Sequence, residues 1–69
     1  MDNFISVIVC TYNRERYIGK CLEHLHRQHA DKKLYEVIIV DNNSTDQTSE
    51  ICKSAVANYT ETTFRYFFE

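Results

Sequence analysis

The 69-residue sequence predicts an α/β chain around a parallel sheet, in the order β-α-β-α-β. Three observations predict it. Two runs, Phe4–Cys10 (FISVIVC) and Tyr35–Val40 (YEVIIV), are nearly continuous in β-branched and apolar residues. Such runs read as strands buried on both faces, as in a parallel sheet. The residues between and after them carry helical periodicity, and alternating strands and helices argue for right-handed crossovers. A third, aromatic run, Phe64–Phe68 (FRYFF), closes the pattern.

The first strand runs into Thr11-Tyr12-Asn13-Arg14, where Asn13 suits an N-cap. Ile18, Cys21, Leu22 and Leu25 follow at i, i+3, i+4 and i+7, one stripe of a helix. Gly19, the single glycine, weakens that helix. His29–Lys33 reads as a polar connection to the second strand. Ser44-Thr45-Asp46-Gln47 then fits a capping box with Ser44 as cap. Thr48, Ile51, Cys52, Ala55, Val56 and Tyr59 share one face of the second helix, and Asn58 is a suitable stop.

Composition narrows the function classes. The chain is 43% hydrophobic and 26% charged, with eight Lys and Arg against ten Asp and Glu, an ordinary globular balance. That leaves no basic excess to hold a polyphosphate backbone, so no nucleic-acid partner is expected. The longest apolar runs, Val7–Cys10 and Val37–Val40, are too short to span a bilayer, and no signal peptide is expected. Cys10, Cys21 and Cys52 are odd in number and widely spaced, which reads as reduced thiols in the cytoplasm. His24 and His26 lie about 200° apart on a helix and cannot share a ligand face. His26 and His29 alone make a poor metal site, so these imidazoles read as a solvated face.

Ligands of open α/β sheets bind beyond the carboxyl ends of the strands. Two polar clusters fall there, Thr11–Arg14 and Asp41–Asp46, together with two helix N-termini. The inventory suits a nucleotide. Tyr12 can flank a base, Arg14 can reach a phosphate, and Asp41 can accept from a ribose hydroxyl or a uracil-type N–H. The same Asp-Asn-Asn-Ser run also fits a plain turn leading into a cap, and at this point both readings are open. A dinucleotide-binding domain would need glycines in the first turn, and none stand there. A receiver domain would need an acidic pair after the first strand, where Thr-Tyr-Asn stands instead.

Ser6–Arg14 (SVIVCTYNR), the helical segment Tyr17–Leu22 with Leu25 and Gln28, Tyr35–Thr48 (YEVIIVDNNSTDQT) and Phe64-Arg65-Tyr66 resemble, in order, the opening of family 2 glycosyltransferases of the GT-A fold. The resemblance covers nearly the whole chain. It implies the first, incomplete β-α-β-α-β portion of such a domain, residues 1–69. It also implies sugar transfer from a nucleotide-sugar donor, with inversion, to a hydroxyl acceptor on a glycan, lipid-linked sugar or polysaccharide. By resemblance Thr11, Tyr12 and Asp41 line the base pocket, and charge adds Arg14. Many members carry proline where Cys10 stands. The resemblance further implies Mg or Mn in the full domain, held by a later Asp-x-Asp motif that these residues lack. The catalytic base lies later still, so the chain alone is expected to be inactive. The alternative is a non-catalytic remnant that binds nucleotide weakly or self-associates. In the family the first strand lies inside the sheet; without its neighbours Ile5–Val9 becomes an open edge, and Phe64, Tyr66, Phe67 and Phe68 lose cover.

Overall fold

A computed structural model describes residues 4–28 and 31–69. The elements run β1 (Ile5–Thr11), α1 (Ile18–His26), β2 (Tyr35–Asp41), α2 (Thr48–Asn58) and β3 (Thr63–Phe68), with a 3-10 turn at Lys32–Leu34. The strands form one sheet in the order β1-β2-β3, with both pairings parallel. Val7 stands beside Val37, and Val37 beside Phe64. The fold class read from the sequence is therefore the observed one.

Both crossovers advance the sheet in the same direction, so right-handed connections place both helices on one face. Ile18 and Leu22 of α1 and Cys52 and Ala55 of α2 meet Tyr35, Val37, Ile39 and Phe64 there, forming the buried core. At the start of β2 the Tyr35 hydroxyl donates to the Leu25 carbonyl at 2.9 Å, adding a partner to a carbonyl of the last turn of α1. His26 stacks on Tyr59 with ring centroids 4.3 Å apart, and its Nδ1 lies 2.9 Å from Thr62 Oγ1. That clamp ties α1 to the entry of β3, so His26 is not a solvated residue. His29 lies outside the described residues.

Burial on both faces does not hold. The second face of the sheet is uncovered: Ile8 is 62% and Phe67 46% exposed, while alternate residues of β2 are buried on the helix side. Across that open face the Ser6 hydroxyl donates to Glu36 at 2.7 Å, and Arg65 reaches the same carboxylate at 3.7 Å. Phe64 and Tyr66 keep their cover from the helices, and Phe67 and Phe68 do not. Cys21 and Val56 fall at the margins of their stripes and are exposed.

Candidate donor-nucleotide site

The sheet register decides what can meet at the carboxyl rim. Thr11 pairs with Asp41, and the Asn42 N–H donates to the Thr11 carbonyl at 2.8 Å. The loops after β1 and β2 are therefore neighbours. A cavity of about 430 Å³ opens there, lined by Cys10, Thr11, Tyr12, Arg14, Val40, Asn42 and Glu69. Tyr12, 52% exposed, and Arg14, also exposed, both line it. Thr11 is buried, and its Oγ1 has no hydrogen-bond partner among the described residues.

Asp41 does not line this cavity. Successive strand residues face opposite sides. Val40 opens to the cavity, whereas Asp41 points with Val37 and Ile39 into the helix-covered face and is 0% exposed. Its Oδ1 accepts from the Ser44 N–H at 3.1 Å and its Oδ2 from the Tyr66 hydroxyl at 2.7 Å. The Tyr66 oxygen lies 2.9 Å from Ser49 Oγ as well. Burial, with the hydrogen bond and charge of Asp41, pushes the Tyr66 phenol up to about 12, against a smaller lowering by Ser49. The period of two that made β2 legible also carried the signal that Asp41 and Val40 part company. Tyr66 and Glu69 come from β3 and its end, and no local pattern around either residue marks them.

Neither predicted cap forms. Asn13 lies well before α1, whose first turn is entered through Tyr17 and Ile18 N–H groups donating to the Arg14 carbonyl, both at 2.9 Å. The α2 helix starts at Thr48, past the end of the proposed Ser44–Gln47 box. These side chains instead tie the two loops together. The Asn13 N–H donates to Ser44 Oγ at 2.9 Å, Arg14 N–H to Thr48 Oγ1 at 2.8 Å, and Glu15 N–H to Asp46 Oδ2 at 3.3 Å. In return Thr45 N–H donates to Asn13 Oδ1 at 2.8 Å and Gln47 N–H to Glu15 Oε1 at 2.9 Å. Asp46 Oδ1 also accepts from the Thr48 N–H at 2.9 Å, an Asx turn leading into a helix whose N-cap, Gln47, makes no side-chain cap bond. Desolvation pushes the Asp46 carboxyl up, but hydrogen bonds from the Thr48 hydroxyl and N–H and from Glu15 N–H outweigh it, holding the group below its ordinary 3.8.

A parallel sheet with paired rim loops beside an open cavity defines a class. The whole chain superposes on GT-A glycosyltransferase structures. A mannosyltransferase from Pyrobaculum calidifontis, solved with GDP-Man and Mn2+, matches 100% of this chain and 20% of its own, with TM-score 0.93 and 26% identity. Staphylococcus aureus TarS, solved with UDP-GlcNAc, matches 100% of this chain and 18% of its own, with TM-score 0.81 and 38% identity. The family follows from the sequence: residues 6–68 match the profile of Glycosyl transferase family 2, and the chain belongs to that family. A dolichyl N-acetyl-alpha-D-glucosaminyl phosphate glucuronosyltransferase of Methanococcus voltae, acting with a 2,3-diacetamido-2,3-dideoxy sugar by its name, is 49% identical over 51 residues, 74% of this chain and 16% of that protein. The chain thus spans about a fifth or less of the relatives it matches.

Proposed function

We propose that this chain is the donor-nucleotide-binding portion of a nucleotide-sugar-dependent glycosyltransferase, covering residues 1–69 of its catalytic domain. One observation carries the reading. At the carboxyl rim of two parallel strands, Tyr12 and Arg14 of the first loop and Asn42 of the second line one cavity together with Thr11. In this reading the base lies along the Tyr12 ring with Thr11 beneath it, and Arg14 faces the phosphates. Asp41 belongs to the same half-site. Fully buried, with one oxygen accepting from Ser44 N–H and the other from the Tyr66 hydroxyl, it holds that half-site from below. Relatives solved with GDP-Man and with UDP-GlcNAc support a nucleoside diphosphate sugar as donor. Three unpaired cysteines among the described residues support a cytoplasmic setting. No helix among them is long and apolar enough to cross a membrane.

The residues present do not fit the divalent cation that the family implies. Among the described residues no group of three or more His, Cys, Asp or Glu side chains comes together. Both oxygens of Asp41 and of Asp46 are already engaged. We therefore assign no reaction step to this chain and place the cation and the catalytic base outside it.

Titration of the chain with UDP and with GDP, followed by amide chemical shifts, tests the reading. Weak binding of at least one is expected, with shifts at Thr11–Arg14 and Asn42. Tyr12→Ala and Arg14→Ala each weaken it about tenfold, a loss of ~1.4 kcal/mol. Unchanged affinity in both variants would overturn the assignment. Sugar transfer by the isolated chain above a buffer control, with Mg or Mn present, would overturn its inactivity.

A second reading, self-association, is favoured by the uncovered sheet face and by β1 standing at the sheet edge with one side unpaired. Sedimentation across a range of concentrations tests it.

A further inference from the structure

We infer that Asn13 is a positioning residue for the cavity, acting through the residues on either side of it. This inference rests on the donor-site reading above. Tyr12 and Arg14 line the 430 Å³ cavity and Asn13 between them does not. Its backbone is left-handed, at φ 47°, which turns the chain between those two side chains. Asparagine enters that region more readily than other residues with a Cβ. The carboxamide and the backbone then close onto the opposite loop at three points. Oδ1 accepts from Thr45 N–H at 2.8 Å, Nδ2 reaches Thr45 Oγ1 at 3.4 Å, and the N–H donates to Ser44 Oγ at 2.9 Å.

Asn13 is also one link of a reciprocal set. The N–H groups of Asn13, Arg14 and Glu15 bind side chains of the second loop, and those of Thr45 and Gln47 bind side chains of the first. Singly, such bonds contribute little beyond the water bonds they replace. Ordering one loop, however, presents the acceptors that order the other, so the set behaves as a unit. The core below does not depend on it: Leu22, Val37, Ile39 and Cys52 pack without either loop. Loss of the carboxamide should therefore free Tyr12 and Arg14 while leaving the fold in place.

The discriminating variants are Asn13→Gly, which accepts the left-handed backbone but removes the carboxamide, and Asn13→Asp, which keeps the Oδ1 acceptor. His26→Ala, at the opposite end of the sheet, serves as a control that costs stability only. Amide hydrogen exchange of the free chain is the first readout. In Asn13→Gly, exchange at Thr45, Gln47 and Glu15 should rise about tenfold, the equivalent of ~1.4 kcal/mol, with the β2 amides unchanged. Affinity for UDP or GDP is the second. It should fall about tenfold in Asn13→Gly, recover most of the loss in Asn13→Asp, and stay at the wild-type level in His26→Ala despite a lower melting temperature. Unaltered exchange at Thr45 and Gln47 in Asn13→Gly would overturn the inference, as would nucleotide affinity that tracks melting temperature across all three variants. A wild-type chain that binds neither nucleotide would defeat the donor-site reading instead, and the exchange pattern would still decide whether Asn13 fixes its neighbours.

Discussion

At the scale of single residues, the Asp41–Tyr66 pair is the costliest polar feature to disturb. A buried carboxylate needs its hydrogen bonds, because an unsatisfied group keeps its full desolvation penalty. Tyr66→Phe removes one of the two donors that reach Asp41. It should cost about 1–3 kcal/mol, read by urea unfolding near neutral pH. The same pair sets an alkaline limit. The Tyr66 phenol is raised from 10.0 to about 12, so the fold binds its proton more tightly than the unfolded chain does. That contribution is complete below 10.0 and is lost as pH rises through the folded value. Burial, then the charge of Asp41 and of Cys21, likewise pushes the Cys52 thiol from 9.0 to about 11, so its contribution is complete below 9.0 and lost by the same rule. Stability should therefore decline from about pH 9 upward. The decline should be shallower in Tyr66→Phe than in wild type, as thermal melts across the alkaline range will show. An equal slope in the two proteins would exclude Tyr66 as a source.

At the scale of elements, the helix stripes were legible and the helix starts were not. Ile18 and Leu22, and Thr48, Cys52 and Ala55, are buried as their spacing requires. Asn13, Ser44 and Gln47 are cap-type residues in cap-like order, but a side-chain acceptor is indifferent to which loop supplies its donor. The neighbouring loop took Asn13 and Ser44, and only its proximity in space could reveal that. Asp46 shows the outcome. Its lowered pKa means stability that is present above 3.8 and lost as pH falls through the folded value. Asp46→Asn should consequently lose less melting temperature than wild type on acidification below 3.8, measured by circular dichroism. Gly19 offers the opposite test. A methyl group built there would meet Ile51 Cγ2 at 3.6 Å, an ordinary contact, and the backbone carries no positive φ. Gly19→Ala should stabilise the chain by about 0.5–1 kcal/mol, which for a domain of this size raises the melting temperature by roughly 2–8 °C.

At the scale of the whole molecule, a three-stranded sheet has too few elements to cover both of its faces. The helices take one, leaving Ile8, Phe67 and the outer edge of β1 exposed. Exposed apolar sheet faces and unpaired edges drive association. The isolated chain should sediment as a concentration-dependent mixture, and Ile8→Lys should shift it towards monomer without lowering its melting temperature. A wild-type chain that remains monomeric at all concentrations would remove the self-association reading.

The sequence by itself determined the order of elements, the parallel sheet, the two helical stripes and the family, because hydrophobic period and local motifs are properties of neighbouring residues. It also placed Thr11, Tyr12 and Arg14 at the carboxyl rim, where they line the cavity, since strand ends follow from strand runs. Only the tertiary structure decided that Asp41 turns away from the cavity towards Tyr66, that Asn13 and Ser44 join two loops instead of capping helices, and that one sheet face stays bare. Those outcomes depend on which segments lie side by side in space, and that is fixed by the register of β1 on β2 and by the hand of the crossovers, not by any stretch of chain alone.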